Sequence, residues 1–388
     1  MEATDLLAII GRNEDGQYQF KANVTNENSL AQEMVAFSNS GGGTIFIGIS
    51  NDGTFSGLTR EDMGRLNQLT SNAASQHVRP PINPQTKNID TPEGLVMQIT
   101  VPDGIAKPYM DKNGVIWIKS GADKRKATSR EEIQRLYQSA SLIHGDEIPV
   151  PGLTIADIDE TYFKTFFERN FGESLEDQDL PLPSLLENMN LMKDKVFNVS
   201  GALLFAKNPS FKLPAFIVKA IAFPGNEIHE SQYRDSQDIS GKIGDIFQKT
   251  RSFVLSNIRH IQGDRNVNSP GEPEIPRITL EELIANALIH RDYFITAPVR
   301  LFVFDNRVEI ISPGHLPNNL TVENIKRGNS NIRNPILASF ATKILPYRGL
   351  GSGIIRALNA YPDIDFENDQ DGNLFKVIIC RKSKMEQQ

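Results

Sequence analysis

The chain has 388 residues, 39% of them apolar and 23% charged, with a net charge of −7. That length suits two or three domains at ~100–200 residues each, and the composition is that of an ordinary globular protein. A single cysteine, Cys380, excludes an intramolecular disulfide and a Cys-based zinc site, no apolar run approaches the ~20 residues of a membrane span, and the acidic balance argues against indiscriminate nucleic-acid binding.

The opening residues 1–16 lack a basic stretch before a long apolar core, so no secretory signal and a reducing cytoplasm are expected. Gln19-Phe20-Lys21 precedes a helical run over 29–39. The triple glycine Gly41-Gly42-Gly43 leads into a strand over 44–49. Asn51-Asp52-Gly53 follows, and an Asp-Gly pair after a buried strand signals a hairpin. Residues 95–101 and 115–119 read as further strands. Thr128-Ser129 followed by Glu131-Glu132 opens a closing helix, with a hydroxyl at the cap and carboxylates in the first turn. Lys119, Lys124, Arg125 and Lys126 put four cations in eight residues. A bare charge run is most often solvated surface, but with Lys21 and the triple glycine these cations form a candidate nucleic-acid-binding set that contacts phosphate.

The stretch 141–265 carries no legible chemistry. Residues 145–152 read as a linker, 161–169 as a helix, 172–183 as an acidic loop, 201–205 and 216–222 as strands, and 241–260 as a long helix.

The C-terminal third is richer. Leu280, Leu283, Ile284, Ala287 and Leu288 make the stripe of a half-buried helix. Glu282 and Asn286 project together, one turn apart, away from that stripe. An Asn oxygen suits Mg²⁺, and a carboxylate can orient or deprotonate a water. His290-Arg291-Asp292-Tyr293 closes the helix. It spells a protein-kinase triplet, but a kinase needs an Asn where Ala297 stands and an Asp-Phe-Gly that is absent. Two β-type runs, 300–304 and 307–311, form a hairpin leading into Ser312-Pro313-Gly314. Gly349, Gly351 and Gly353 form a glycine-rich turn entering a helix, whose exposed N–H groups make a phosphate cradle.

Two resemblances follow from these residues. Most of 10–140 resembles the Schlafen AlbA-like domain, through QFK, AFSNSGGGTIFIGISNDGTFSGL, KPYM and WIKSGADKRKATSREEI. Residues 265–385 resemble the divergent C-terminal ATPase domain of RecG-like helicases or transcriptional regulators, through NALIHRDY, VEIISPGHLP, NSNIRNP and RGLGSGI. That domain is similar to the fold shared by gyrase, histidine kinases and MutL, called GHKL. The middle stretch, with LLFAKNP, resembles the segment joining the two modules in the same regulators.

The resemblance implies an α+β protein in three parts. These are a Schlafen AlbA-like α/β domain over 1–140, an α/β connector over 141–265 and a GHKL-like α/β sandwich over 266–388. It implies ATP and Mg²⁺ as cofactors, Glu282 as catalytic base and Asn286 as the metal ligand. Ser312 and Gly314 would lie on the adenine side, and Gly349, Gly351 and Gly353 in the phosphate loop. A lid over 328–334 would offer Ser330 and Arg333 to a phosphate. One departure stands out: related ATPases read adenine with an Asp-x-Gly turn, and here Ser312 takes the Asp position, giving a hydroxyl without charge. Some Schlafen relatives are RNases using Glu, a second Glu five residues on, and an Asp after the glycine-rich strand. Glu14 fits the first place, Gln19 stands at the second, and Asn51 or Asp52 at the third. The lost carboxylate implies binding without efficient cleavage.

The expectation is a cytoplasmic, homo-oligomeric regulator that binds nucleic acid, DNA in preference to RNA, with a nucleotide-responsive C-terminal module and at most weak ATPase activity. The alternative is a metal-dependent nuclease acting on RNA or single-stranded DNA in stress or phage defence. A third reading is an interaction protein with both sites degenerate. No Gly-x-x-x-x-Gly-Lys-[Ser/Thr] loop occurs, so a helicase motor is not expected.

Overall fold

The computed structural model describes residues 3–11, 14–228, 231–262, 271–317 and 320–382. They form two compact units, Met1–Ile143 and His144–Gln388.

The first unit contains, in order, α1 (Ala3–Ile10), β1 (Tyr18–Lys21), α2 (Glu27–Asn39), β2 (Gly43–Ile47), α3 (Arg60–Asn72), β3 (Val78–Arg79), β4 (Gln85–Thr91), β5 (Gly94–Val101), β6 (Met110–Asp111), β7 (Trp117–Ser120), β8 (Asp123–Lys126) and α4 (Arg130–Ser139). The main sheet runs β1-β2-β5-β4, with β1 parallel to β2 and the other pairs antiparallel. Asn26 starts α2 by accepting from the N–H groups of Asn28 and Ser29. Gly41 and Gly42, at φ +97° and +79°, turn the chain into β2. Leu30, Met34 and Phe37 of α2 bury against Ile45, Ile47 and Ile99 on one sheet face. Leu6 and Ile9 of α1 cover Phe20, Phe46 and Val96 on the other. This period-2 division of β1, β2 and β5 is what a sheet covered on both faces requires.

The second unit begins with β9 (Pro149–Thr154), α5 (Glu160–Phe171), α6 (Leu182–Asn188), β10 (Met192–Lys193), β11 (Val196–Asn198) and α7 (Val199–Phe205). It continues with β12 (Val218–Ala222), β13 (Asp235–Ile239), α8 (Ile243–Asn257), β14 (His260–Ile261), β15 (Glu272–Pro273) and α9 (Arg277–His290). It ends with β16 (Val299–Val303), β17 (Arg307–Pro313), α10 (Val322–Lys326), α11 (Pro335–Ile344), α12 (Gly353–Ala360), β18 (Ile364–Asp369) and β19 (Leu374–Cys380). A six-stranded sheet runs β13-β12-β16-β17-β19-β18, antiparallel except for the β12–β16 pair. Val299, Leu301, Val303, Val308 and Ile310 face the helices, with Leu283 and Ile284 of α9 in the same core. Phe302, Phe304 and Ile311 point the other way, into a small cluster with Phe223.

Three expectations change here. Residues 201–205 are not a strand but part of α7. Asn198 caps that helix by accepting from Gly201 N–H at 2.8 Å, and all seven α7 residues are buried. A short, fully apolar run has no periodicity to separate strand from helix. Residues 145–152 are not a linker either. Asp146 is fully buried and accepts from Ser200 Oγ at 3.1 Å and Leu337 N–H at 2.9 Å, which ties the segment to the core. The connector and the ATPase-like part, read as separate stretches, share the six-stranded sheet and one hydrophobic core. The boundary placed near 265 lies outside the described residues. Among the described residues no helix is long and apolar enough to cross a membrane.

One side chain organises the end of the first unit. Buried Asn39 donates to the carbonyls of Tyr109 and Trp117, both at 2.9 Å, and accepts from Tyr109 N–H at 2.8 Å. Asn39→Ala strands two buried backbone groups of Tyr109 and the half-buried carbonyl of Trp117 and should destabilise this unit by about 2–4 kcal/mol. Trp117 is the one tryptophan, so its fluorescence in a urea titration reports this unit directly. An unchanged midpoint would show that Asn39 is dispensable.

Candidate functional site

Helix α9 presents Glu282, 4% exposed, and half-buried Asn286 to a recess closed opposite by the start of α12. The same recess is lined by Ser312 and Gly314 from the end of β17, by Ser330 and Arg333, and by Gly349, Gly351 and Gly353. The space in it open to the centre of a water-sized sphere is about 110 Å³. Tertiary folding thus gathers every residue that sequence reasoning assigned to the nucleotide.

Two of the three glycines have close neighbours, and at Gly351 the neighbour is backbone. A Cβ on Gly353 would lie 2.6 Å from Glu282 Oε2 and 3.0 Å from Asn286 Nδ2, and one on Gly351, at φ +70°, would press on the carbonyl of Gly328. Asn286 Nδ2 donates to the Glu282 carbonyl at 2.6 Å, leaving the amide oxygen as acceptor for a partner. Glu282 Oε2 is buried without a partner among the described residues. Its Oε1 is taken by Arg356 of α12, with Nε at 2.7 Å and Nη2 at 2.5 Å. Sequence reasoning missed Arg356. The available signal was a cation one turn beyond the glycine loop, on the face that follows Ser352.

The adenine end looks different. Ser312 Oγ donates to the Ala287 carbonyl at 3.1 Å. Arg333 donates to the carbonyls of His315 at 2.6 Å and His290 at 3.4 Å, packed against Gly314. The lid therefore divides, with Ser330 beside Gly351 and Arg333 at the Gly314 turn. Arg291 also has a structural task. It lies between the Phe216 and Tyr293 rings, 4.7 and 4.9 Å from their centres, and donates to the Ile295 and Ala297 carbonyls.

In the first unit the cations are already engaged. Lys21 and Lys124 converge on Glu33, at 3.9 and 2.7 Å, and Glu33 is 4% exposed. Lys119 donates to Gln19 Oε1 at 2.9 Å and sits 4.7 Å over the Phe37 ring. Burial lowers its pKa, against the raising effect of Glu33 and Glu14. Exposed Arg125 forks onto Glu132, and exposed Lys126 stands 5.6 Å over Trp117. Glu14 accepts from Gln19 Nε2 at 2.5 Å and Phe20 N–H at 2.6 Å, while Asp52 closes on Thr54. Among the described residues no three His, Cys, Asp or Glu side chains gather as a metal site. Glu33 was invisible to sequence reasoning, since a Glu inside an apolar helix reads as a solvated face.

Residues 14–128 match the family model described as "Schlafen, AlbA_2". Residues 296–379 match the one described as "Putative ATP-dependent DNA helicase recG C-terminal". The chain joins a Schlafen AlbA_2 domain to a RecG C-terminal, HATPase-type domain. No curated protein matches it. Among solved structures, the DIP2311 protein from Corynebacterium diphtheriae is similar at 19% identity and TM-score 0.46, covering 98% of this chain and 80% of that one. The N-terminal domain of a RecG-related protein from Nitrosomonas europaea is similar at 19% identity and TM-score 0.24, over 33% of this chain and 91% of that one. The AlbA_2 match spans the whole cation set together with Glu14 and Gln19. The HATPase-type match takes in the glycine loop, the lid and Arg356 but begins after α9, so Glu282 and Asn286 enter the site on geometry.

Two predictions follow for the HATPase-type domain. Gly349 and Gly351 both have positive φ, but a Cβ on Gly349 meets nothing nearer than 3.7 Å. Gly351→Ala should therefore cost about 1–2 kcal/mol more than Gly349→Ala, because only the former adds a backbone clash to the strain. Equal denaturation midpoints for the two variants would remove the proposed Gly351–Gly328 constraint.

His290 accepts from or donates to Tyr347 Oη at 3.0 Å, and burial, then the Arg333 charge, depress its pKa from 6.5 to about 4. Above pH 6.5 the imidazole is neutral folded and unfolded. As pH falls from 6.5 towards 4, only the unfolded chain takes up the proton, so stability is lost across that window, by about 3 kcal/mol at most. His290→Gln should flatten the fall measured by urea unfolding between pH 6.5 and 4. Parallel profiles for variant and wild type would count against a neutral, half-buried His290.

Proposed function

We propose that this protein is a DNA-binding regulator whose C-terminal domain binds ATP with Mg²⁺ and hydrolyses it weakly at most. The observation that carries the reading is the convergence of Glu282, Asn286 and the Gly349, Gly351 and Gly353 loop on one recess, with a buried carboxylate oxygen unpaired among the described residues. The donor set fits the group. Asn286 would give Mg²⁺ one hard oxygen, and phosphate and water would complete its shell. Bound Mg²⁺ would supply charge neutralisation to the phosphates. The loop N–H groups entering α12 would hold phosphate oxygens, which the absence of side chains at 351 and 353 permits. Glu282 would orient water through Oε2, while Arg356 keeps Oε1 occupied, and a base so tied favours binding over turnover.

On the AlbA_2 side, Lys21, Lys124 and Arg125 have carboxylate partners, so nucleic acid must exchange those partners rather than meet bare cations. Binding should accordingly be modest and steeply salt-dependent. The pairing of Glu14 with Gln19 supports a binding surface over a nuclease centre, because a metal site would need Glu14 to be released.

Calorimetry on the full chain tests the nucleotide half. Asn286→Ala should weaken ATP binding about tenfold in Mg²⁺ and much less in EDTA, the equivalent of ~1.4 kcal/mol. Equal affinities would sink the assignment. For nucleic acid, replacing Lys124, Arg125 and Lys126 together by Ala should lower the log–log salt slope on duplex DNA by about 3. Cleavage of labelled tRNA or single-stranded DNA that vanishes in Glu14→Ala would promote the nuclease reading instead.

A further inference from the structure

Three arginines, Arg333, Arg348 and Arg356, line the recess, and of these Arg356 is the one joined to Glu282. Arg356 donates through Nε and Nη2 to Glu282 Oε1 and through Nη1 to Ser352 Oγ at 2.9 Å. It is half-buried and lines the recess. It stands three residues past the start of α12, where the first backbone N–H groups lack intrahelical acceptors and favour an anion. Beside that anion-favouring turn lies Glu282, 4% exposed, with Oε2 unpartnered among the described residues. A phosphate entering there meets a buried like charge unless a cation stands between them.

We propose that Arg356 is the specificity-determining residue for a nucleoside triphosphate, bridging Glu282 and the terminal phosphate. The inference rests on the nucleotide reading above. The phosphate nearest Glu282 is the terminal one by role, because a water oriented by Glu282 attacks there. A diphosphate stops short of the Glu282 carboxylate and has no use for the bridge. Arg356 therefore acts on the third phosphate and leaves the contacts of the base and the first two phosphates alone. Its planar fork can hold Glu282 and a phosphate oxygen at once, which a lysine point charge does less well.

The test is calorimetric titration of the full chain with ATP and ADP, each with Mg²⁺, read as the ratio of the two affinities. Wild type should prefer ATP by about tenfold, the size of one charge-assisted contact. R356Q should bring the ratio to about one while changing ADP affinity by less than about threefold, and R356K should fall between. E282Q frees the guanidinium and removes the repulsion, so its preference for ATP should equal or exceed wild type. Melting without nucleotide shows whether each variant is folded. If R356Q is not, R356Q/E282Q leaves no unpaired buried charge and should still give a ratio of about one. A wild-type ratio in R356Q or in the double variant overturns this inference alone, and so does an equal loss of both nucleotides. Wild-type protein that binds neither nucleotide overturns it together with the nucleotide reading.

Discussion

The recess of the second unit depends on how closely α9 and α12 approach, and the ion pair between Glu282 and Arg356 joins them there. With no side chain at Gly353, Glu282 and Asn286 fit against the first turn of α12. Any Cβ would fall inside van der Waals distance of both. The approach buries a carboxylate, and a buried carboxylate needs a counter-charge. Arg356 provides it from α12. Such a pair is weak evidence for stability, since two apolar side chains would pack there at no desolvation cost, whereas removing one partner leaves an uncompensated charge costing about 3–5 kcal/mol.

The AlbA_2 domain repeats the theme with the signs reversed. Its hairpin β7–β8 sets Lys119 opposite Lys124 in register. Like charges directly opposite destabilise a ladder, and Glu33 from α2 and Gln19 from β1 relieve it. The exposed Arg125–Glu132 pair is worth only ~0–1 kcal/mol and yields readily to a phosphate. The pair with buried Glu33 is harder to exchange, because Glu33 would be left unscreened. Cations of one sequence run therefore divide into exposed ones and ones paired to a buried group.

Local pattern gave most of the elements. The hairpin over β16 and β17, the glycine turn into α12 and the capped α4 were legible because each rests on nearest-neighbour chemistry: alternation, φ > 0 at glycine, a hydroxyl at the cap. Failures came where local pattern is silent. The run 201–205 is apolar throughout and has no period, and the polar look of 145–152 hides an Asp146 that the core itself requires.

The sequence by itself determined that Glu282 and Asn286 share a helix face and that a glycine turn enters α12, since both follow from helix period and backbone sterics. Only tertiary structure decided what those residues are doing. It paired Glu282 with Arg356 across 74 positions of chain, set Arg333 at the Gly314 turn and engaged Lys21 and Lys124 with Glu33. Charge pairing is decided by distance in space and by burial, and neither is a property of a residue's neighbours along the chain.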